Sequence, residues 1–353
     1  MKIFVTGGAG FIGSALVRSL VRDKNCHVLT LDKLTYAGDL KTLEGVSANS
    51  LHRFERLDIL QTKDVLRCLL EFSPDAVFHL AAETHVDRSI SGPAVFLETN
   101  VTGTLSMLEA TKCYWEELKG PKRATFRFIH VSTDEVYGSL GPKGKFTELS
   151  PYRPNSPYAA SKAGSDHLAR AWHVTYGFPS IITHASNNYG PYQFPEKLIP
   201  LCILKALKGD PIPVYGTGKN IRDWLHVEDH VEGLWNILKR GKPGETYNIG
   251  GGTECTNLEL VKRVCSLIDI LQPRNGIGPR SKLITHVPDR PGHDLRYAID
   301  TKATFRKLGW KAKMNLDEGL KETILWYLSH PEWCQHVQEK YAGERLGLAR
   351  AAK

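Results

Sequence analysis

The chain has no apolar run approaching the about 20 residues that a transmembrane helix needs. Its seven cysteines are odd in number and widely spaced, and no Cys-x-x-Cys occurs. A disulfide frame and a thiolate zinc site are therefore not expected, and no metal site of any kind is. Cys113 reads as a packing residue. No dense Lys/Arg run interleaves with aromatics, so nothing marks a nucleic-acid surface, although the formal net charge is +8. An anionic small molecule such as a nucleotide pyrophosphate fits that charge equally well. No charged and apolar leader stands before the first glycine loop; Met1-Lys2-Ile3-Phe4-Val5 enters it directly, and a cytoplasmic protein is expected. Asn100-Val101-Thr102 fits a glycosylation sequon, which in that compartment is a chance match. What is present is a soluble, globular mixture, 41% hydrophobic and 24% charged over 353 residues, enough for one large or two ordinary domains.

Residues 2–5 read as a short strand, and Ser14 to Val21 shows helical periodicity. Between them, Thr6-Gly7-Gly8-Ala9-Gly10-Phe11-Ile12-Gly13 contains both G-x-G-x-x-G and G-x-x-G-x-x-G. Small residues are needed where the backbone turns tightly, approaches a pyrophosphate and packs helix on strand. The helix N-terminus then offers N–H groups and a positive dipole end to the phosphates. A second strand, His27 to Leu31, ends at Asp32, 19 residues after Gly13. An acid there binds ribose hydroxyls and repels a 2′-phosphate, which favours NAD over NADP; the plainer alternative is an acid that merely ends a strand. Strands at 54–57, tipped by Asp58-Ile59, and at 75–82 follow, with helical sequence between them. This alternation predicts an α/β fold, a Rossmann-type doubly wound parallel sheet. Ala81-Ala82 is small enough for a cofactor to lie close.

The next apolar run, Phe126 to Val131, opens into Ser132-Thr133-Asp134-Glu135-Val136-Tyr137-Gly138. Neighbouring side chains on a strand face opposite ways, so Asp134 and Glu135 share a pocket only if the chain bends at once. With ligands expected at the carboxyl ends of parallel strands, Thr133, Asp134 and Glu135 read as the floor of an active site; the alternative is a solvated acidic turn. A helix is predicted over 100–118, and another capped by Asn155 or Ser156 with Pro157 in its first turn. The latter carries Tyr158 and Lys162, spaced i and i+4 on one face. A lysine ammonium beside the phenol favours phenolate and makes Tyr158 a usable base. Helical periodicity over 226–239 suggests that this segment packs back on the first lobe.

Thr6–Gly13, Ser132–Gly138 and Tyr158–Lys162 together resemble the extended short-chain dehydrogenase/reductase family. The Asp-Glu pair after the Ser/Thr is similar to that of its sugar-nucleotide 4,6-dehydratases, whereas plain epimerases usually lack it. Glu83-Thr84-His85-Val86-Asp87-Arg88-Ser89-Ile90, Ser186 to Tyr192, Pro195 to Pro200 and Asn220 to Trp224 resemble the branch acting on dTDP-glucose. The likeness runs from Met1 to about Tyr327. His184-Ala185 departs from the Arg-Cys or similar pair usual there, and no function is drawn from it. Residues 343–353 match nothing and are expected to form a mobile tail.

The resemblance implies NAD as cofactor, held by Gly7, Gly10, Phe11, Ile12, Gly13, Asp32, Lys33, Leu34, Thr35, Asp58, Ile59, Leu80, Ala81, Ala82, Thr84, Thr99, Tyr158, Lys162 and Asn188. It implies a nucleotide sugar against Thr84, His85, Thr133, Asp134, Glu135, Asn187, Lys197, Leu198, Pro213, Tyr215, Arg222, Asn257, Arg290 and His293. On this reading Tyr158, Thr133 and Lys162 serve oxidation at C4, Glu135 takes the C5 proton, and Asp134 protonates the departing 6-hydroxyl. His85 alone could equally be a structural histidine, and Tyr215 an ordinary strand aromatic. The implied domains are 1–185 for NAD and the catalytic residues, 186–340 mainly for the sugar nucleotide with about 226–240 returning to the first, and a 341–353 tail. A homodimer through the helices near 100–118 and 157–176 is implied, with no nucleic acid or membrane partner. UDP-glucose or another nucleotide sugar as substrate, a 4-epimerase, and a silent NAD-binding regulator remain as alternatives.

Overall fold

In a computed structural model, residues 1–274, 278–341, 343, 344 and 346 are described. Of the expected tail, residues 342, 345 and 347–353 lie outside them. The strands in chain order are β1 (Lys2–Thr6), β2 (His27–Asp32), β3 (His52–Arg56), β4 (Ala76–His79), β5 (Arg127–Thr133) and β6 (Ser180–Ala185). Then come β7 (Asn187–Tyr189), β8 (Ile212–Tyr215), β9 (Ile221–His226), β10 (Thr246–Ile249), β11 (Glu254–Thr256) and β12 (Ile284–Val287). The main sheet has the order β10-β6-β5-β4-β1-β2-β3, and every pairing in it is parallel. β1, β2, β4 and β5 are nearly continuous apolar runs because helices cover both faces, whereas edge strand β3, His52–Arg56, is half-exposed and polar. The chain winds one way through β1, β2 and β3 and the other way from β4, so a crevice opens between the carboxyl ends of β1 and β4.

A smaller lobe holds the antiparallel β9–β11 pair, with β7 beside β9, and a separate parallel β8–β12 pair. Its core gathers Ile203, Val214, Val264 and Ile324 from strands and helices of the second half. The chain interleaves the lobes. The 227–240 helix buries Val231, Leu234 and Ile237 in the same core as Leu16 and Leu20 of the 11–22 helix. β10 then pairs with β6 as the seventh strand of the main sheet.

Three local expectations need correction. The helix placed at 100–118 starts earlier, at Pro93, and passes through a π-helical stretch at Leu97–Thr102 before regular helix at Gly103–Glu117. Inserted residues of this kind widen the turn and leave no trace in hydrophobic period. Cys113 is exposed on that helix, not packed, because the buried stripe runs through Met107, Leu108, Ala110 and Tyr114. β5 extends two residues beyond its apolar run, which puts Thr133 on the sheet's edge of the crevice. The sequon is closed off: buried Asn100 donates from Nδ2 to Glu83 O (3.0 Å) and Ser161 Oγ (2.9 Å).

Candidate active site

The cleft at the crevice is lined at one end by the glycine loop. Gly7 sits at φ +69°, and a Cβ there would lie 2.6 Å from the Ala81 amide nitrogen; at Gly13 it would meet Gly7 O at 2.1 Å. Neither position admits a side chain. Gly10 begins the 11–22 helix with no side-chain cap, so its first N–H groups face the cleft unclaimed by a side chain. Asp32 accepts from Ala9 N at 3.0 Å and Leu34 N at 2.8 Å; burial raises its pKa while these two bonds lower it. Lys33 pairs with Asp58 at 3.3 Å and reaches Thr99 Oγ1 at 3.5 Å. Phe11, Ile12, Thr35, Ile59, Leu80, Ala81 and Ala82 complete this wall. Leu34, by contrast, turns its side chain to the core at φ 59° and reaches the cleft only through its backbone neighbours.

Toward the other end the chain does bend at once. β5 stops at Thr133, whose Oγ1 caps a single 3₁₀ turn, Asp134–Tyr137, by accepting from Glu135 N at 3.3 Å. Gly138 ends the turn at φ +84°; a Cβ there would lie 2.2 Å from Arg153 O. Both carboxyls consequently line the same cleft as Tyr158 and Lys162. Asp134 Oδ2 and Glu135 Oε2 are buried with no hydrogen-bond partner. Such orphans are costly unless a ligand meets them.

The two acids are not equivalent. Burial, then Glu135, then Asp223 push Asp134 well above the carboxylate range. Burial raises Glu135 as well, but Arg290, Arg222 and Lys197 all pull it down. Both end above their ordinary values, Asp134 the further, so Asp134 is the one suited to hold a proton and Glu135 the one its cationic neighbours favour as a carboxylate.

Tyr158 differs from expectation. Lys162 Nζ donates to Val131 O at 2.9 Å, and the tyrosine's surroundings do not favour phenolate. Burial and the Glu135 charge raise its pKa, opposed by the Thr133 hydroxyl. The i, i+4 spacing put both groups on one face but could not show that two acids would act on the phenol.

Beyond the carboxyls lies a cationic wall. Arg222, buried between strands, donates to Asp294 O (3.0 Å) and stacks on Tyr297 (4.2 Å). Arg290 Nη1 pairs with Asp87 at 3.0 Å while its Nε has no partner. Lys197 Nζ donates to Thr84 Oγ1 at 3.0 Å. Buried Arg222 with half-buried Arg290 and Lys197 suits a diphosphate. Asn187 and Asn188 line the cleft; Asn188 Oδ1 is held by His230 at 2.9 Å. Tyr215 donates to Asp87 at 2.7 Å, and His293, brought down to about 4 by burial and Arg290, holds Asp289 at 2.6 Å. His85, at φ 90°, contacts Glu196 O through Nε2 and leaves Nδ1 unpartnered; burial brings it to about 4, so it is neutral. Pro213 pairs with Thr285 in the small sheet, and Leu198 starts the 198–208 helix, both outside the cleft.

Sequence reasoning missed Glu196, which lines the cleft, pairs with Arg88 at 2.7 Å and accepts from Tyr36 at 3.1 Å. Its only signal was an acid between Pro195 and Lys197. Tyr36 and Asp87 were missed for the same reason: their partners lie 160 and 203 residues away.

Fold and site together define a dinucleotide-binding α/β enzyme whose Tyr–Lys helix faces a pair of carboxylic acids. Residues 4–323 match the family described as GDP-mannose 4,6 dehydratase, and the chain belongs to it. It is 55% identical over 353 residues to a probable dTDP-glucose 4,6-dehydratase of Sinorhizobium fredii, covering all of both chains. To the dTDP-glucose 4,6-dehydratase of Neisseria meningitidis serogroup B it is 52% identical, covering 99% of each. The dTDP-glucose 4,6-dehydratase DesIV of Streptomyces venezuelae, solved with NAD bound, superposes with a TM-score of 0.86 at 45% identity, over 96% of this chain and all of that one. A UDP-glucose 4-epimerase of Thermotoga maritima superposes at 0.82 and 29% identity, over 94% of this chain and 100% of that one, so the scaffold alone does not choose between reactions.

Proposed function

We propose that this protein is an NAD-dependent hydro-lyase that converts dTDP-glucose to dTDP-4-keto-6-deoxyglucose and water. The observation that carries the reading is the buried, unpartnered Asp134–Glu135 pair beside Tyr158. An epimerase needs only the oxidation at C4. Two acids of opposite protonation are needed when a proton leaves C5 and a hydroxyl leaves C6. A ketone at C4 makes the C5 hydrogen acidic, which is why redox and acid–base groups share one cleft.

The glycine loop, Asp32 and the Lys33–Asp58 pair would hold NAD, whose nicotinamide takes hydride from C4 and returns it at C6. Tyr158 takes the 4-hydroxyl proton as the C4 oxygen becomes a carbonyl, with Thr133 hydrogen-bonded to the same oxygen. Lys162, which lines the cleft with its Nζ bonded to Val131 O, would hold the cofactor's ribose. Glu135, the less raised of the two acids and the one faced by Arg290, Arg222 and Lys197, removes the C5 proton. Asp134 delivers its proton to the departing 6-hydroxyl, and a proton returns to C5. Arg222, Arg290 and Lys197 hold the diphosphate, while Thr84, His85, Asn187, Tyr215, Asn257 and His293 shape the rest of the sugar-nucleotide site. Residues 1–185 supply the dinucleotide lobe, and most of 186–340 the substrate lobe.

The protein works as a cytoplasmic homodimer, paired through the 93–117 and 157–176 helices. Val95, Leu97, Val174 and Tyr176, exposed on or beside these helices, supply apolar surface for it. Purified protein given dTDP-glucose or UDP-glucose tests the reading by product mass. Loss of one water from dTDP-glucose alone is expected. Loss only from UDP-glucose would move the substrate, and loss from neither, with NAD supplied, would overturn the dehydratase reading.

A further inference from the structure

Behind the catalytic turn lies a buried polar cluster with no place in the reaction above. Asp166, one helical turn beyond Lys162 and 1% exposed, accepts at Oδ2 from Ser132 Oγ (2.9 Å) and faces His184 Nε2 (3.0 Å). Its Oδ1 lies 3.1 Å from His130 Nε2. His184 is fully buried; its Nδ1 lies 2.7 Å from the Tyr137 hydroxyl, and the Tyr152 hydroxyl is 2.9 Å from its Nε2.

Proton counting fixes the state of this cluster. Asn248 Nδ2 donates to Phe146 O and Asp300 O, so its Oδ1 is an acceptor, 3.0 Å from the Tyr137 hydroxyl. Tyr137 has one proton, and it goes to Asn248. The Tyr137 oxygen must then accept from His184 Nδ1. Asp166 Oδ2, already bonded by Ser132, faces His184 Nε2 at 3.0 Å, a contact that is favourable only if Nε2 carries a proton. A neutral His184 can serve only one of them. Either tautomer would leave two buried acceptors facing each other at 3.0 Å or less, which is costly.

We propose that His184 is a buried imidazolium paired with the Asp166 carboxylate, and that the pair positions the catalytic turn. Ser132 directly precedes Thr133, and Tyr137 ends the turn that carries Asp134 and Glu135. The pair ties both ends of that turn to the helix bearing Tyr158 and Lys162, which fixes the two acids relative to the phenol. Asp166 and His184 do not line the cleft; they are positioning residues.

The groups facing His184 are Tyr137 from the turn, Tyr152 from the following loop and Asp166 from the helix, with Asn248 from β10 behind Tyr137. Around Asp166 stand His130 from β5 and Lys162. His130 is brought to about 4 by burial and Lys162, so it is neutral and leaves the pairing charge to His184. Burial raises Asp166, but hydrogen bonds from the two histidines carry it below the carboxylate range.

This inference rests on the reading of the turn as catalytic, and its test has an arm that does not. In the NAD-loaded protein labelled with nitrogen-15 at histidine, the His184 ring signals are assigned by their loss in His184→Gln. Both ring nitrogens are expected to carry protons at neutral pH. A single-proton ring at neutral pH overturns the pair, whatever the enzyme does. The kinetic arm uses Asp166→Asn and Tyr137→Phe, each normalised to folded, NAD-containing sites. Asp166→Asn should lower kcat about 10²-fold by misplacing the acids. Tyr137→Phe should lower it about ten-fold, one hydrogen bond's worth. KM for the nucleotide sugar should stay within about two-fold for both, and the double variant should fall no further than Asp166→Asn. Unchanged kcat in folded variants, losses confined to KM, or multiplying effects would overturn the positioning role. If Asp166→Asn does not fold, Tyr137→Phe carries the kinetic arm alone.

Discussion

Replacing Asp134 by Asn changes one atom in a site 2% exposed, so it keeps shape and removes only the transferable proton. The fold should tolerate it. Asp134 Oδ1 receives only a long contact from Thr133 (3.5 Å) and Oδ2 has no partner, so no native hydrogen bond of normal length is lost. Chemistry should not tolerate it. A positioned general acid contributes about 10²–10⁴-fold, or about 3–5 kcal/mol at 1.36 kcal/mol per decade. The assay separates the steps. In solvent deuterium, Asp134→Asn should still exchange the C5 hydrogen after oxidation at C4, because Glu135 and its cations are intact. Water loss should slow by the factor above, and reduced nicotinamide should build up in a single turnover. Glu135→Gln should block exchange at C5 and, with it, elimination. If Asp134→Asn loses exchange while Glu135→Gln retains it, the two roles are reversed. Turnover of Asp134→Asn at the wild-type rate would refute acid catalysis from this residue.

Tyr158→Phe should abolish oxidation at C4 while cofactor content after purification stays near wild type, since burial and Phe96 packing hold the ring. Gly13→Ala, whose Cβ would meet Gly7 O at 2.1 Å, should empty the protein of NAD, read from the absorbance of the purified protein. Burial brings Lys162 down to about 8 from 10.5. The folded chain therefore binds fewer protons than the unfolded one between those values, and stability rises as pH climbs through them. The cost relieved is about 3 kcal/mol; urea unfolding across that range should show the rise in wild type and not in Lys162→Met.

The parts of the site legible in sequence are those whose geometry is local. Gly7, Gly10 and Gly13 sit within one turn, Tyr158 and Lys162 within one helical turn, and Asp134 and Glu135 are neighbours whose bend Gly138 announced. Parallel order followed from strand–helix alternation, because crossovers leave few other arrangements. What was not legible depends on chain distance. Nothing near Asp166 marks it as the partner of Ser132 and His184, 34 and 18 residues away. Nothing near Glu135 shows that Arg290 would stand beside it while Lys162 turned to Val131 O. The return of β10 to the main sheet was likewise hidden: four residues, Thr246–Ile249, fit either lobe by hydrophobicity.

The central claim is that one cleft moves hydride from C4 to C6 and eliminates water between those steps. dTDP-glucose labelled with deuterium at C4 tests it directly, with the product read by mass and proton NMR. The account predicts a product one water lighter, with the label at C6. Label found at C4 of an epimerised sugar, or lost to solvent, would contradict it.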